Sequence, residues 1–117
     1  MQRNELYLLD IVEASDAIAS FIHGIDEVRF VSNDMIRSAV LQKLTIIGEA
    51  AAQISTDLRS RHPGMPWRNV VAFRNLVVHA YFRVDWSIVW TTATQDVPDL
   101  RNRISKIIQI ESSQGTP

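Results

Sequence analysis

The spacing of the apolar residues indicates a helical fold for this chain. Apolar side chains recur every three or four positions over long segments, and the clearest stripe continues for about six helical turns. Its members are Ile36, Val40, Leu44, Ile47, Ala51, Ile54 and Leu58. No segment of four to eight residues alternates apolar and polar positions between turn residues, as a half-buried strand would. The sequence therefore predicts an all-α bundle of four to five main helices.

Capping and breaking residues set the expected helix ends in the first half of the chain. The first amphipathic helix covers residues 6–25 and ends near Gly24, because glycine readily adopts the left-handed conformation that closes many helices. A helical piece of one or two turns is expected at residues 26–30. The second long helix carries the apolar stripe through Leu58 and begins at an N-cap within residues 32–34.

Prolines and an aspartate set the helix ends in the second half. Pro66 fits the first position of a third long helix over residues 67–81, and Asp85 can cap a fourth helix that begins one residue later. Pro98 lacks a backbone N–H and disfavours the α conformation in the residue before it. We therefore expect a break or kink at this proline, with Asp96 capping a last helix that ends near residue 110.

Composition limits the class of protein. The chain has 117 residues, 46% hydrophobic and 21% charged, which is typical of one globular domain. We expect that domain at residues 1–110, followed by a flexible C-terminal tail at residues 111–117. The absence of cysteine excludes disulfides, thiolate nucleophiles and cysteine-ligated metals. Because residues 1–5 do not begin a signal peptide and no apolar run could span a bilayer, we expect a cytoplasmic protein without membrane segments.

The second long helix carries more apolar surface than one neighbouring helix would cover. Ala39, Ile46 and Ala50 lie beside the main stripe rather than on it. Two neighbours within the chain, or a dimer partner, are needed to cover both faces.

Four polar side chains concentrate on one part of the third predicted helix. At about 100° per residue, Arg74, Asn75, His79 and Tyr81 occupy one sector, while Phe73, Leu76, Val77 and Ala80 occupy the sector that would pack on the bundle. A guanidinium binds phosphate oxygens through paired donors, and an imidazole exchanges a proton near neutral pH. The set therefore suits attack at a phosphodiester without a metal ion.

Other chemistries fit these residues less well. His23, His62 and His79 lie on separate elements, and the sequence has neither a metalloprotease motif nor a nucleophilic serine in a strand-turn-helix setting. The structural alternative is that Arg74 and His79 make capping or interhelical hydrogen bonds only.

The same segment carries a family resemblance. Arg74, followed five positions later by His79 and then by Tyr81, with Asn75 directly after the arginine, resembles the Arg-x4-His-x-Tyr motif of the HepT-like ribonucleases, toxins of the HEPN superfamily. The resemblance covers nearly the whole chain in successive blocks at residues 46–50, 65–68, 74–75, 79–82, 84–85, 89–90 and 96–100.

The resemblance implies a fold, an activity and a partner. Such proteins are HEPN-type all-α homodimers whose motif helices form one composite, positively charged cleft that cleaves RNA without a metal or cofactor. By resemblance, Arg74 stabilises the phosphorane, His79 acts as acid or base, and Asn75 orients the reacting groups. The family's partner is a minimal nucleotidyltransferase (MNT) antitoxin that transfers AMP to the motif tyrosine, here Tyr81. The substrate would be a tRNA or an mRNA.

Residues outside the motif have both functional and structural interpretations. Glu49 lies among small apolar residues and needs a partner. In the functional interpretation this is Arg74 or its symmetry mate, and in the structural one Glu49 makes an ion pair or a dimer contact. Gly48 permits close helix packing. Arg59, Arg68 and Arg83 either extend an RNA-binding surface or are simply solvated.

Two alternatives to the toxin remain open at this point. A catalytically silent helical module could dimerise and assist a nucleotidyltransferase, and a purely structural dimerisation domain would explain the packing but not the polar sector. Charge is divided unevenly, with 4 Lys/Arg and 9 Asp/Glu in residues 1–58 against 8 and 4 in residues 59–117. A polyanion should therefore meet the second half, and the net charge of −1 suits weak or selective RNA binding.

Overall fold

A computed structural model describes residues 2–76 and 85–114, and no strand occurs in these two ranges. The predicted all-α class is confirmed. No helix in the described ranges is long and apolar enough to cross a membrane. In chain order the elements are α1 (Gln2–Phe21), α2 (Glu27–Ser32), α3 (Asp34–Gln53), α4 (Thr56–Arg61), α5 (Trp67–Val71), a 3-10 turn (Ala72–Asn75), α6 (Trp86–Thr91), a π segment (Thr92–Asp96) and α7 (Val97–Gln114).

The structure confirms the helix end predicted at Gly24 and the cap predicted within residues 32–34, and it adds a cap at Asp26. Gly24 has a φ of 77°, the left-handed conformation expected after α1. The Asp26 side chain accepts from the N–H of Arg29 at 2.9 Å to begin α2. Asn33 is the residue of the 32–34 group that caps α3, because its side chain accepts from the N–H of Ile36 at 2.9 Å.

The second long helix is not continuous through Leu58, so that prediction was wrong. Ile54 has extended backbone angles, and Ser55 then caps α4 by accepting from the N–H of Leu58 at 3.2 Å. Asn4 of α1 fixes this break with two hydrogen bonds, donating to Ser55 Oγ at 2.9 Å and accepting from the Ser55 N–H at 3.1 Å. Ile54 and Leu58 are both buried nevertheless. The apolar stripe therefore crosses the break and conceals it in the sequence.

The helix around Pro98 also differs from the prediction. Asp85 caps α6 as expected, accepting from the N–H of Ile88. The chain then stays helical through the π segment into α7, and Asp96 lies within that segment instead of capping a new helix. A π turn is wider than an α turn, which relieves the contact that the proline ring would make with the carbonyl of residue 94. Thr92 and Thr94 donate hydroxyl hydrogen bonds to the carbonyls of Ile88 and Trp90.

The C-terminal helix runs to Gln114 instead of ending near residue 110. Glu111 was expected in a flexible tail, but its side chain is buried, ion-paired with Arg61 and hydrogen-bonded to His62. Residues 115–117 lie outside the described residues. The tail boundary at 111 is therefore wrong for at least four residues, because a packed ion pair holds the last turn.

The core is built around α3. The helix α1 lies along α3 and also contacts α7, while α5 and the 3-10 turn pack on another part of α3. Fully buried side chains from these elements include Leu8, Ile11, Ile18, Leu44, Ile47, Leu58 and Ile104. Phe30 of α2 joins α6 to this core, with ring centroids 6.3 Å from Trp86 and 5.2 Å from Trp90. The packing leaves the 3-10 turn held against the middle of α3.

Candidate active site

Within the described residues, the third predicted helix is less regular than the sequence suggested. Residues 67–71 are α-helical as α5, residues 72–75 form the 3-10 turn, and Leu76 is α-helical again. Pro66 stands one position before the helix, at its N-cap, rather than at its first residue. His79, Tyr81 and Arg83 lie outside the described residues. The predicted polar sector can therefore be followed in this structure only at Arg74 and Asn75.

Arg74 lies at the third position of the 3-10 turn, beside α3. Its guanidinium Nη1 is 3.7 Å from Oε2 of Glu49, and the two side chains are 41% and 58% exposed. The predicted pairing of Glu49 with Arg74 thus occurs within one chain. An exposed ion pair at this distance contributes at most about 1 kcal/mol, so Glu49 orients the guanidinium without neutralising it fully. Asn75 follows directly and is exposed.

Gly48 lies where the 3-10 turn packs on α3. An added Cβ on Gly48 would be 2.5 Å from the Arg74 backbone nitrogen and 2.8 Å from Arg74 Cβ. It would also be 2.8 Å from the Val71 carbonyl oxygen. The close packing predicted at Gly48 is therefore confirmed, and it occurs at the residue that carries the candidate guanidinium.

Two surface depressions lie on either side of this contact. One, of about 270 Å³, follows α1 and α3 beside Glu49 and is lined by Tyr7, Asp10, Thr45, Ile46, Ala50 and Gln53. The other, of about 410 Å³, lies between α5 and α7, with Phe73, Asn69 and Leu100 in its wall and Asp96 and Asp99 at its edge. Arg103 also lines the second depression and pairs with Asp99, so the charges there are mixed.

Of the three arginines considered as an extended surface, Arg59 and Arg68 lie in the described residues and have different settings. Arg59 is half-buried and donates to the Ala51 carbonyl at 2.7 Å, so it satisfies the end of α3. Arg68 is exposed on α5.

Within residues 2–76 and 85–114 no group of three or more His, Cys, Asp or Glu side chains is arranged to hold a metal ion.

A cluster of polar contacts around the buried carboxylate of Glu111 joins α4 to the end of α7, and sequence reasoning missed it. Glu111 accepts from Arg61 Nη2 at 2.7 Å and from His62 Nε2 at 2.6 Å, while Arg61 also pairs with Asp57. The Arg61 hydrogen bond is the main cause that lowers the pKa of Glu111, against the opposing effect of burial. The partners are about 50 positions apart, so no local pattern signals this contact.

Comparison with known proteins identifies a family and several relatives that this chain is similar to. The family model described as ribonuclease HepT-like matches residues 11–107. The chain is 38% identical over 98 residues to "Putative RNase MJ1380" of Methanocaldococcus jannaschii, covering 84% of this chain and 90% of that protein. It is also 38% identical over 101 residues to "Probable ribonuclease HepT" of Thermococcus cleftensis, covering 86% and 92% of the two chains.

A third relative, "Putative RNase TTE0752" of Caldanaerobacter subterraneus subsp. tengcongensis, is 30% identical over 105 residues, covering 90% of this chain and 94% of that protein. No solved structure matches significantly. The family match spans α1 to α7 and includes the 3-10 turn that presents Arg74 beside Glu49. This chain therefore belongs to the HepT-like ribonuclease family.

Proposed function

We propose that this chain is a metal-independent endoribonuclease, the toxin of a toxin–antitoxin pair, and that it acts as a homodimer. The observation that carries the proposal is the half-exposed guanidinium of Arg74, held by a weak ion pair in a chain that matches the HepT-like family over residues 11–107. A guanidinium that is charged, partly exposed and loosely paired is available to a phosphate.

The proposed reaction is transfer of the RNA phosphate to the neighbouring ribose hydroxyl. The 2′-oxygen bonds to phosphorus and gives up its proton, while the bond from phosphorus to the 5′-oxygen breaks and that oxygen gains a proton. The products are a 2′,3′-cyclic phosphate and a 5′-hydroxyl. Arg74 stabilises the charge that develops on the phosphorane, and Asn75 orients an oxygen of the ribose or phosphate. His79 moves a proton at the 2′-oxygen or the leaving oxygen.

The homodimer is supported by surface beside the candidate site. Of the second apolar set, Ala50 is buried within the chain, whereas Ala39 and Ile46 remain half-buried. Ile46 lines the 270 Å³ groove that also contains Glu49. A second copy that covered this groove would place its own Arg74 near the first, which makes one cleft from two chains.

The proposed regulation is transfer of AMP to Tyr81 by a nucleotidyltransferase antitoxin. The phenol oxygen attacks the α-phosphorus of ATP, pyrophosphate leaves, and the phenol proton passes to solvent or a base. Added phosphate near Arg74 would occupy the position of the substrate phosphate. Tyr81→Phe should still cleave RNA but should no longer be silenced by such an enzyme with ATP, and silencing of the variant would contradict the assignment.

The deciding experiment is cleavage of a tRNA or mRNA pool in EDTA, with identification of the product ends. The unmodified protein should cleave, His79→Ala should not, and Arg74→Ala should lose about a hundredfold or more in rate. Arg29→Ala removes an exposed arginine from α2 and is the matched control. If protein whose intact mass shows no AMP fails to cleave any RNA, a silent binding module is the better description.

A further inference from the structure

We infer that Gly48 is a positioning residue for Arg74, an inference that rests on the proposed function of that arginine. Gly48 is buried in the interior of α3 and faces the 3-10 turn. The three atoms nearest to an added Cβ are the Arg74 nitrogen, Arg74 Cβ and the Val71 oxygen, at 2.5, 2.8 and 2.8 Å. None of them can rotate away, because each is a backbone atom or is bonded directly to the backbone.

The contact falls on the hydrogen bond that begins the 3-10 turn. In such a turn the N–H of residue i+3 donates to the carbonyl of residue i, which pairs Arg74 with Val71. A methyl group on residue 48 would therefore press on both ends of one hydrogen bond. The turn would have to move away from α3, and Arg74 would move with it.

Two adjacent residues of α3 thus fix the two ends of one side chain. Gly48 sets how closely the Arg74 backbone and Cβ approach α3, and Glu49 contacts the guanidinium at 3.7 Å. Glycine is less favourable than alanine in a helix interior, and alanines occupy positions 50–52 of the same helix. An alanine at position 48 would stabilise α3 itself. Its unfavourable effect would be to displace the 3-10 turn from its place against α3.

The test compares Gly48→Ala with Gly64→Ala. Gly64 is the matched control because an added Cβ there meets nothing within 4 Å. We expect kcat/KM for RNA to fall about tenfold to a hundredfold in Gly48→Ala and less than about twofold in Gly64→Ala. In an Arg74→Lys background, Gly48→Ala should cost less than about twofold, because the guanidinium that it positions is already absent. An equal loss in both backgrounds would overturn the inference.

A measurement without RNA separates this inference from the proposed function. The Nε–Hε resonance of Arg74 should shift in Gly48→Ala and stay unchanged in Gly64→Ala. That result supports the positioning role even if no RNA is cleaved, in which case only the proposed function fails. An unchanged resonance together with unchanged cleavage would refute the role of Gly48.

If Gly48→Ala does not fold, hydrogen exchange of the wild-type protein tests the contact between Gly48 and Arg74. The backbone nitrogen of Arg74 packs against Gly48, whereas Asn75 is exposed. The Arg74 amide should therefore exchange more slowly than the Asn75 amide. Equal exchange rates would contradict the close contact and the inference with it.

Discussion

At the scale of single residues, the ion pair between Arg74 and Glu49 is long and both side chains are exposed to solvent. At 3.7 Å the two groups attract each other without a short hydrogen bond, and solvent reaches both. Such a pair restricts where the guanidinium points but leaves its remaining donors able to meet an incoming phosphate. A shorter and more buried pair would have held Arg74 for structure alone.

Replacing Glu49 with glutamine should therefore alter cleavage more than stability. We expect kcat to fall about threefold to fivefold, because the guanidinium loses its orienting charge, while the free energy of unfolding changes by less than about 1 kcal/mol. Single-turnover cleavage and urea unfolding measure the two effects.

Asp16→Asn provides the control for this variant. The Asp16 and Arg101 side chains are 57% and 39% exposed, almost the same as Glu49 and Arg74, and lie between α1 and α7. The control should leave kcat unchanged. If both variants lowered kcat equally, the effect of Glu49 would be one of general surface charge.

At the scale of elements, the last turn of α7 depends on a charge that sequence patterns do not reveal. Glu111 is buried and accepts hydrogen bonds from Arg61, the last residue of α4, and from His62, which follows it. The bonds join the helix that follows Ser55 to the end of the described chain. Loss of the carboxylate charge would leave two donors without their acceptor.

The Glu111 contact should make stability depend on pH in the acid range. Folding lowers the pKa of Glu111 below its ordinary value of 4.5, so the ionised carboxylate stabilises the fold above that pH and the contribution is lost as the pH falls through the lowered pKa. Glu111→Gln should cost about 1–2 kcal/mol at pH 7, and the difference from wild type should shrink below pH 4. Urea midpoints across this range measure the effect.

Glu13→Gln is a suitable comparison for that series, because Glu13 is an exposed carboxylate of α1. Its stability should follow the wild-type curve at every pH. A Glu111→Gln curve that kept a constant offset from wild type down to pH 3 would contradict the ion-pair explanation.

The helix ends illustrate what local sequence does and does not determine. Asp26, Asn33 and Asp85 were predictable as caps because an N-cap depends on one side chain and the N–H three residues on. The break at Ile54 was not, because burial of Ile54 and Leu58 preserves the helical stripe across it. The 3-10 turn packs on α3 and the π segment ends two residues before Pro98, and apolar periodicity alone registers neither departure from the α-helix.

The candidate site was predictable in part for the same reason. The sequence showed that Glu49 needed a partner and left Arg74 of the same chain as one of several candidates, and the structure places the two side chains 3.7 Å apart. The particular atoms that Gly48 contacts depend on how the 3-10 turn meets α3, a contact between positions more than 20 residues apart. The assignments of His79 and Tyr81 stay predictions.

At the scale of the whole molecule, the surface beside Glu49 combines a groove with an apolar side chain. Ile46 is half-buried there, next to Thr45 and Gln53. Polar rims around apolar contacts are common where two chains associate. The proposed dimer would use this surface and bring both copies of Arg74 into one cleft.

Ile46→Glu should therefore weaken the dimer, because it would place a carboxylate beside Glu49 in the proposed interface. Sedimentation velocity at micromolar concentration should show a shift toward monomer, together with loss of RNA cleavage. Met35→Glu, at a side chain that is 81% exposed near the start of α3, should leave both unchanged. If Ile46→Glu remained a dimer, the interface would have to lie on another surface of the chain.

The π segment between α6 and α7 determines where relatives of different length should be aligned with a gap. A turn closed between residues i and i+5 contains one residue more than an α turn, so Thr92–Asp96 behaves as a helix with one surplus residue. Deleting that residue would let the segment close into an ordinary α turn with little change in the rotation of α6 relative to α7, because the wider turn already contains the extra residue. Trp86 and Trp90 would then keep their contacts with Phe30. A relative that is one residue shorter here can therefore keep the same aromatic cluster, and an alignment should open its gap within residues 92–96.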